Sequence, residues 1–122
     1  MPASYETHRK QLELILEAWA MPKAMAAGTA EIMAWADLHG IDTHGISMVP
    51  PYDERRLANK LNVTAEPKVV KETPVSVLID GGGGLGHPAG RRAMEIAIEK
   101  AKKTGIGVAA VRNSGHFGAC ST

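Results

Sequence analysis

Two histidines stand in company suited to moving a proton or gripping a small polar ligand. His44 lies in Asp42-Thr-His-Gly-Ile-Ser47, where an acid, two hydroxyls and an imidazole share one short loop. Asp42 or a backbone carbonyl there could hold the ring in one tautomer. His116 lies in Ser114-Gly-His-Phe-Gly118, between glycines that let a ligand come close. An imidazole that titrates near neutrality can exchange a proton with a hydroxyl or carbonyl, an effect of about 10²–10⁴-fold on rate. Spacing alone also allows either ring simply to satisfy loop backbone.

Other pairings are poorer. His39 with His44, and His87 with His116, lack the helical spacing and the acidic or thiolate neighbours of familiar zinc motifs, so no metal is expected. Cys120 follows His116 closely, but nothing marks that stretch as helical, and a thiol mechanism is set aside. Gly81-Gly-Gly-Gly-Leu-Gly86 satisfies G-x-G-x-x-G between an expected strand and an expected helix, where backbone N–H groups can cradle a phosphate. The next strand ends in Arg112 and Asn113, not in the acid that grips a ribose. A flexible glycine turn close to a ligand or to another chain is the preferred reading.

These motifs need elements to position them. Leu12, Ile15, Leu16 and Trp19 recur at helical spacing and predict an amphipathic helix from Ser4 to Ala20. A second runs from Pro22 through Met25, Ile32 and Trp35 to Leu38, with Gly40 as a left-handed stop. The two form a helical hairpin. Residues 42–52, with Gly45, Pro50 and Pro51, are too punctuated for a regular element, and residues 55–73 read as a helical turn followed by an extended connector carrying Val69 and Val70. After Pro74 comes strand, turn, helix, turn, strand. Val75 to Ile79 forms a strand broken by the glycines; Ala89, Ala93, Ile96, Ala97 and Ala101 make a narrow helical stripe; Val108 to Val111 forms a short strand of buried type. The division is residues 1–74, a helical region with loop and connector, and residues 75–122, the start of an α/β domain.

Composition narrows the partners. A net charge of +1 over 122 residues gives no reason to invoke nucleic acid or an anionic membrane. No apolar run approaches the roughly 18 residues a membrane helix needs. A single cysteine rules out an intrachain disulfide and mildly favours a reducing compartment, the cytoplasm.

Taken in order, Asp42-Thr-His-Gly-Ile-Ser47 with Pro50 and Tyr52, Ile79-Asp-Gly, the Gly86 helix, Gly105-Ile-Gly107 and Val111-Arg-Asn-Ser-Gly-His-Phe-Gly118 resemble the malate/L-lactate dehydrogenase family, relatives of which include ureidoglycolate and sulfolactate dehydrogenases. The resemblance implies an α/β fold in which the helical hairpin precedes a β-α-β portion of a larger, non-Rossmann mixed-sheet dehydrogenase. It implies a homodimeric enzyme using NAD or NADP to interconvert a small 2-hydroxyacid and its 2-oxoacid. His116 would be the catalytic acid/base, His44 would line the substrate site, and Thr43 and Ser47 would donate hydrogen bonds to the substrate carboxylate. Cofactor-binding residues are not assigned.

Two positions depart from the pattern. Met48 stands where the family commonly carries an arginine, and cannot form a bidentate carboxylate clamp; Arg55, Arg56 and Arg112 are candidate substitutes. Gly115 stands where a bulkier polar residue such as asparagine is common. Family members run to several hundred residues, so this chain alone is expected neither to bind NAD(P) tightly nor to turn over. The alternatives are an inactive interaction module that pairs with a full-length relative, and a small nucleotide-binding domain using Gly81 to Gly86.

Overall fold

The structure, a computed structural model, describes residues 3–119 and contains two compact units, a helical one extending to Thr64 and a mixed one, Ala65–Phe117. Each follows from local patterns.

In the helical unit, Ser4 caps α1 (Tyr5–Ala18) by accepting the Thr7 N–H at 3.2 Å, a contact that typically contributes about 0.5–2 kcal/mol. Leu12 and Leu16 form its buried stripe, while Ile15 and Trp19 are half-buried. The helix ends where Ala20 takes a left-handed φ of 65° and Met21 N–H returns to Leu16 O at 3.1 Å, the double-turn stop that usually recruits glycine. Helix α2 (Lys23–Leu38) packs against α1, and the spacing of Ala26, Ala30 and Ala34 gives it a ridge of small residues that permits close approach. The expected hairpin is present, and Gly40, at φ 72°, terminates α2 as expected.

The stretch read as irregular is more regular than its punctuation suggested. Two single-turn 3₁₀ helices, Asp42–His44 and Ile46–Met48, lead into α3 (Val49–Leu57). Pro50 and Pro51 occupy the first turn of α3, where a missing N–H has no intrahelical partner to lose. They start a helix instead of breaking one, and Tyr52 on the next turn is 2% exposed.

In the mixed unit, β1 (Lys68–Glu72) pairs antiparallel with β2 (Ser76–Gly84), and β2 pairs parallel with β3 (Val108–Ser114). The extended connector is thus a true strand, turned back on β2 by Thr73 and Ser76, whose hydroxyls meet at 2.7 Å. Helix α4 (Gly86–Thr104) makes the crossover between the parallel strands. Val77, Ile79, Ala93 and Ile96 form the core, with Ala109 against it. Gly107 is required where α4 and β3 converge, since a Cβ there would lie 1.9 Å from Ala97 O.

Two expectations need correction. The glycines do not end β2: the strand continues to Gly84 through an irregularity, with Gly82 and Gly83 at positive φ and Gly84 again in register with Ser114. Nor is β3 of buried type. All of its residues but Ala109 are exposed, because among the described residues it is paired on one side only and α4 covers one face of the sheet. Val108, Ala110 and Val111 thus stand uncovered among the described residues.

Candidate active site

The candidate residues form two constellations, one in each unit. In the helical unit, Thr43, His44 and Ser47 lie within the paired 3₁₀ turns. The Thr43 hydroxyl and His44 Nδ1 are 2.7 Å apart; with the hydroxyl as donor, the ring proton resides on Nε2. Thr43, not Asp42, is therefore the neighbour that meets Nδ1. The Ser47 hydroxyl donates to the Asp42 carbonyl, closing the loop on itself. Thr43 and Ser47 are exposed and His44 is half-buried, so both hydroxyls and the imidazole remain within reach of a small anionic ligand.

A residue not anticipated from sequence holds this loop from outside. Asp37, in the last turn of α2, accepts the Ile46 N–H at 2.8 Å and meets His8 Nε2 at 2.7 Å. A carboxylate only accepts, so His8 donates. The Asp37 carboxylate lies so close to Gly45 that a Cβ there would fall 1.8 Å from Oδ1. The one available signal was an acid in the last turn of a helix, where the backbone dipole disfavours negative charge.

In the mixed unit, β3 delivers an exposed His116 immediately beyond its end. Backbone bonds fix this loop: Gly115 N–H donates to Gly84 O at 2.7 Å, and Gly86 N–H donates to His116 O at 2.9 Å. The approach is close enough that a Cβ on Gly86 would lie 2.5 Å from the Phe117 Cβ, and one on Gly81 would lie 2.8 Å from the Ser114 Cβ. His87, paired with His116 in the sequence only to be set aside as a metal ligand, is fully buried and meets the His116 ring edge-on with centroids 6.2 Å apart.

Gly81 and Gly86 are therefore packed against the chain's own histidine loop, while Gly82 and Gly83 between them are exposed. The first amide of α4 is already given to the His116 carbonyl and the Gly82 amide to Asp80, so neither is available to a phosphate. The described residues do not fit a dinucleotide site of the G-x-G-x-x-G kind.

Charge near the strand ends is largely committed. Asp80 accepts the Gly82 N–H at 2.9 Å and Arg112 Nε at 3.0 Å; the Gly82 bond first, then the guanidinium, holds its carboxyl below the usual range against the opposing effect of burial. Of the three candidate clamps, Arg112 is engaged by Asp80, and Arg56 binds Asp53 at 2.6 Å while lying 5.2 Å from the Trp19 ring centroid. Arg55 is exposed and enters no ion pair among the described residues. Met48, in the expected arginine position, is half-buried.

Comparisons with known proteins fit this arrangement. L-sulfolactate dehydrogenase of Methanocaldococcus jannaschii is 41% identical over 113 residues, which cover 93% of this chain and 33% of that protein. Malate dehydrogenase of Pyrococcus abyssi is 40% identical over 104 residues, 85% of this chain and 29% of that one. The crystal structure of malate dehydrogenase from Entamoeba histolytica superposes with a TM-score of 0.91 at 37% identity, covering 97% of this chain and 33% of that chain. The chain thus spans about a third of the length of these relatives. The sequence pattern that defines malate/L-lactate dehydrogenases matches residues 3–122, and the chain belongs to that family.

Proposed function

We propose that this chain is the N-terminal portion of an NAD(P)-dependent oxidoreductase that interconverts a small 2-hydroxyacid and its 2-oxoacid. The observation that carries the reading is His116: an exposed imidazole just past the end of a parallel strand, its main chain clamped to Gly84 and Gly86. Strand ends are favoured positions for reacting groups, and a clamped main chain limits the loss of geometry on which proton transfer depends.

In this reading His116 gives a proton to the carbonyl oxygen of the 2-oxoacid as C2 is reduced, and takes it back from the hydroxyl in the reverse direction. His44 Nε2–H supplies a donor for the substrate carboxylate, and the Thr43 and Ser47 hydroxyls add theirs by turning from His44 Nδ1 and the Asp42 carbonyl, to which they donate in the ligand-free loop. The nicotinamide dinucleotide would supply the hydride chemistry and be held mainly by chain beyond this segment, since the Gly82 and Gly86 amides are committed within the fold. A second reading, an inactive module that pairs with a full-length relative, is favoured by Met48 and Gly115.

The test is NAD(P)H oxidation against a panel of 2-oxoacids by the protein expressed from its full reading frame, beside His116→Ala. Turnover that falls by about 10²–10⁴-fold in the variant supports the dehydrogenase reading. An intact wild type that turns over no substrate with either cofactor refutes it in favour of the inactive module.

A further inference from the structure

The loop that carries Thr43, His44 and Ser47 consists of two single-turn 3₁₀ helices separated by Gly45. Such turns have poorer hydrogen-bond geometry than α-helix and hold their shape weakly alone. The internal ties, Thr43 to His44 and Ser47 to the Asp42 carbonyl, fix parts of the loop to one another but not to the helical scaffold.

Asp37 supplies that attachment. Its carboxylate takes the Ile46 N–H at 2.8 Å, fixing the peptide that follows Gly45 and therefore the direction in which the chain leaves His44. Gly45 is buried against it. An acid at this end of a helix works against the backbone dipole, so its position calls for compensation, and His8 from the first turns of α1 provides it at 2.7 Å. The Asp37 and His8 side chains are 18% and 22% exposed, which shields the contact from full solvent competition without isolating a bare charge.

We infer that Asp37, oriented by His8, is a positioning residue for the substrate-facing loop, acting through the Ile46 amide and the Gly45 contact and not by touching substrate. The inference rests on the proposed role of that loop. It assigns a function to two polar residues outside the loop, Asp37 at the end of α2 and His8 in α1, and explains why the residue after His44 is glycine.

The test uses the protein expressed from its full reading frame, with Asp37→Ala, which removes the acceptor; Asp37→Asn, which keeps a carbonyl oxygen for the Ile46 N–H; and Gly45→Ala in wild-type and Asp37→Ala backgrounds. Steady-state kinetics should show kcat/KM lower by about 10²-fold in Asp37→Ala, chiefly through KM, because a displacement of about 1 Å at a binding group has that effect. Asp37→Asn should recover most of it, a rescue that loss of stability alone does not produce. Gly45→Ala should be severe in the wild type and mild beside Asp37→Ala, since the contacting carboxylate is then gone. Kinetic parameters unchanged in Asp37→Ala overturn the inference. A wild type without turnover sinks the dehydrogenase reading, and NMR then decides this one. A through-hydrogen-bond coupling from Ile46 ¹⁵N to the Asp37 carboxyl carbon, with His44 ring shifts that move in Asp37→Ala and return in Asp37→Asn, upholds it; absent coupling and unmoved ring shifts overturn it.

Discussion

The buried ring of His87 meets the exposed ring of His116 edge-on, at an interplanar angle of 70° and a centroid separation of 6.2 Å. An aromatic edge against an aromatic face is a favourable and directional contact, worth roughly 0.5–1.5 kcal/mol beyond burial, and here it joins the first turn of α4 to the proposed acid/base.

Replacing His87 should therefore affect both stability and turnover. His87→Ala leaves a cavity in a fully buried site and is expected to cost about 2–4 kcal/mol in chemical denaturation. His87→Phe retains an aromatic edge and should preserve the pH–rate profile better than His87→Ala does. Equal kcat losses in the two variants at matched stability would show that the ring contact does not orient His116.

The glycines of the β2–α4 junction should separate by contact and not by motif position. Gly86→Ala drives a methyl into the Phe117 Cβ and the Gly115 carbonyl, at 2.5 and 2.7 Å, and is expected to destabilise by about 1–3 kcal/mol through overpacking. Gly83→Ala meets nothing within 4 Å and bears only its left-handed φ of 74°, roughly 1 kcal/mol. Thermal unfolding of the two variants checks the order. A phosphate-cradle role predicts instead that both lose nucleotide binding while remaining equally folded.

Acid should loosen the mixed unit first where carboxylates are committed. Lys100, by hydrogen bond and by charge, holds the Glu72 carboxyl below its usual 4.5; the Gly82 amide and then Arg112 hold Asp80 below 3.8. A folded pKa below the unfolded one means that these contributions are complete above the unfolded value and are lost as pH falls through the folded one. Stability followed by urea titration should thus decline below about pH 4.5, and Glu72→Gln should flatten part of that decline. An unchanged slope in the variant would show that the Lys100 contact contributes nothing to folding.

Arg55 and Arg56 are adjacent in sequence and should behave oppositely. Arg56 is tied to Asp53 and lies over the Trp19 ring, so Arg56→Ala is expected to reduce stability by about 1 kcal/mol with little change in KM. Arg55 has no such ties, and if it compensates for Met48, Arg55→Ala should raise KM for a carboxylate substrate by about tenfold or more, the scale of one charge-assisted hydrogen bond, at unchanged melting temperature. A KM unaffected by Arg55→Ala removes it as the clamp.

How much of this was legible in sequence depended on the range of the interaction. Helices α1, α2 and α4 follow from apolar periodicity, and Gly40 and Gly105 stop two of them with left-handed turns at φ 72° and 85°. The family, and the pairing of His116 with the strand end, were legible in ordered motifs. The prolines of α3 were misread because the same residue breaks a helix inside and favours it at the first turn. Strand β1 was missed because it is exposed throughout and gains its regularity from pairing, which a one-residue bulge between Val69 and Lys71 further obscures. Asp37 was missed, and the His87–His116 pair was weighed only as metal ligands and not as a ring contact, for a related reason. Asp37 meets His8 across 29 residues of chain, His87 meets His116 across the whole of α4, and neither carries a local pattern that distinguishes it from an ordinary helix-end acid or core histidine.

The bare side of β3 has a practical consequence. A strand containing Val108, Ala109, Ala110 and Val111 with one charge, Arg112, and paired on a single side among the described residues, offers its outer amides and carbonyls as a template for another strand. Protein concentration therefore joins temperature and pH as a variable in any measurement on the 122-residue chain alone. Light scattering that grows with concentration would report sheet-to-sheet association, and Val111→Lys, which puts a second charge on that edge, is the change expected to suppress it.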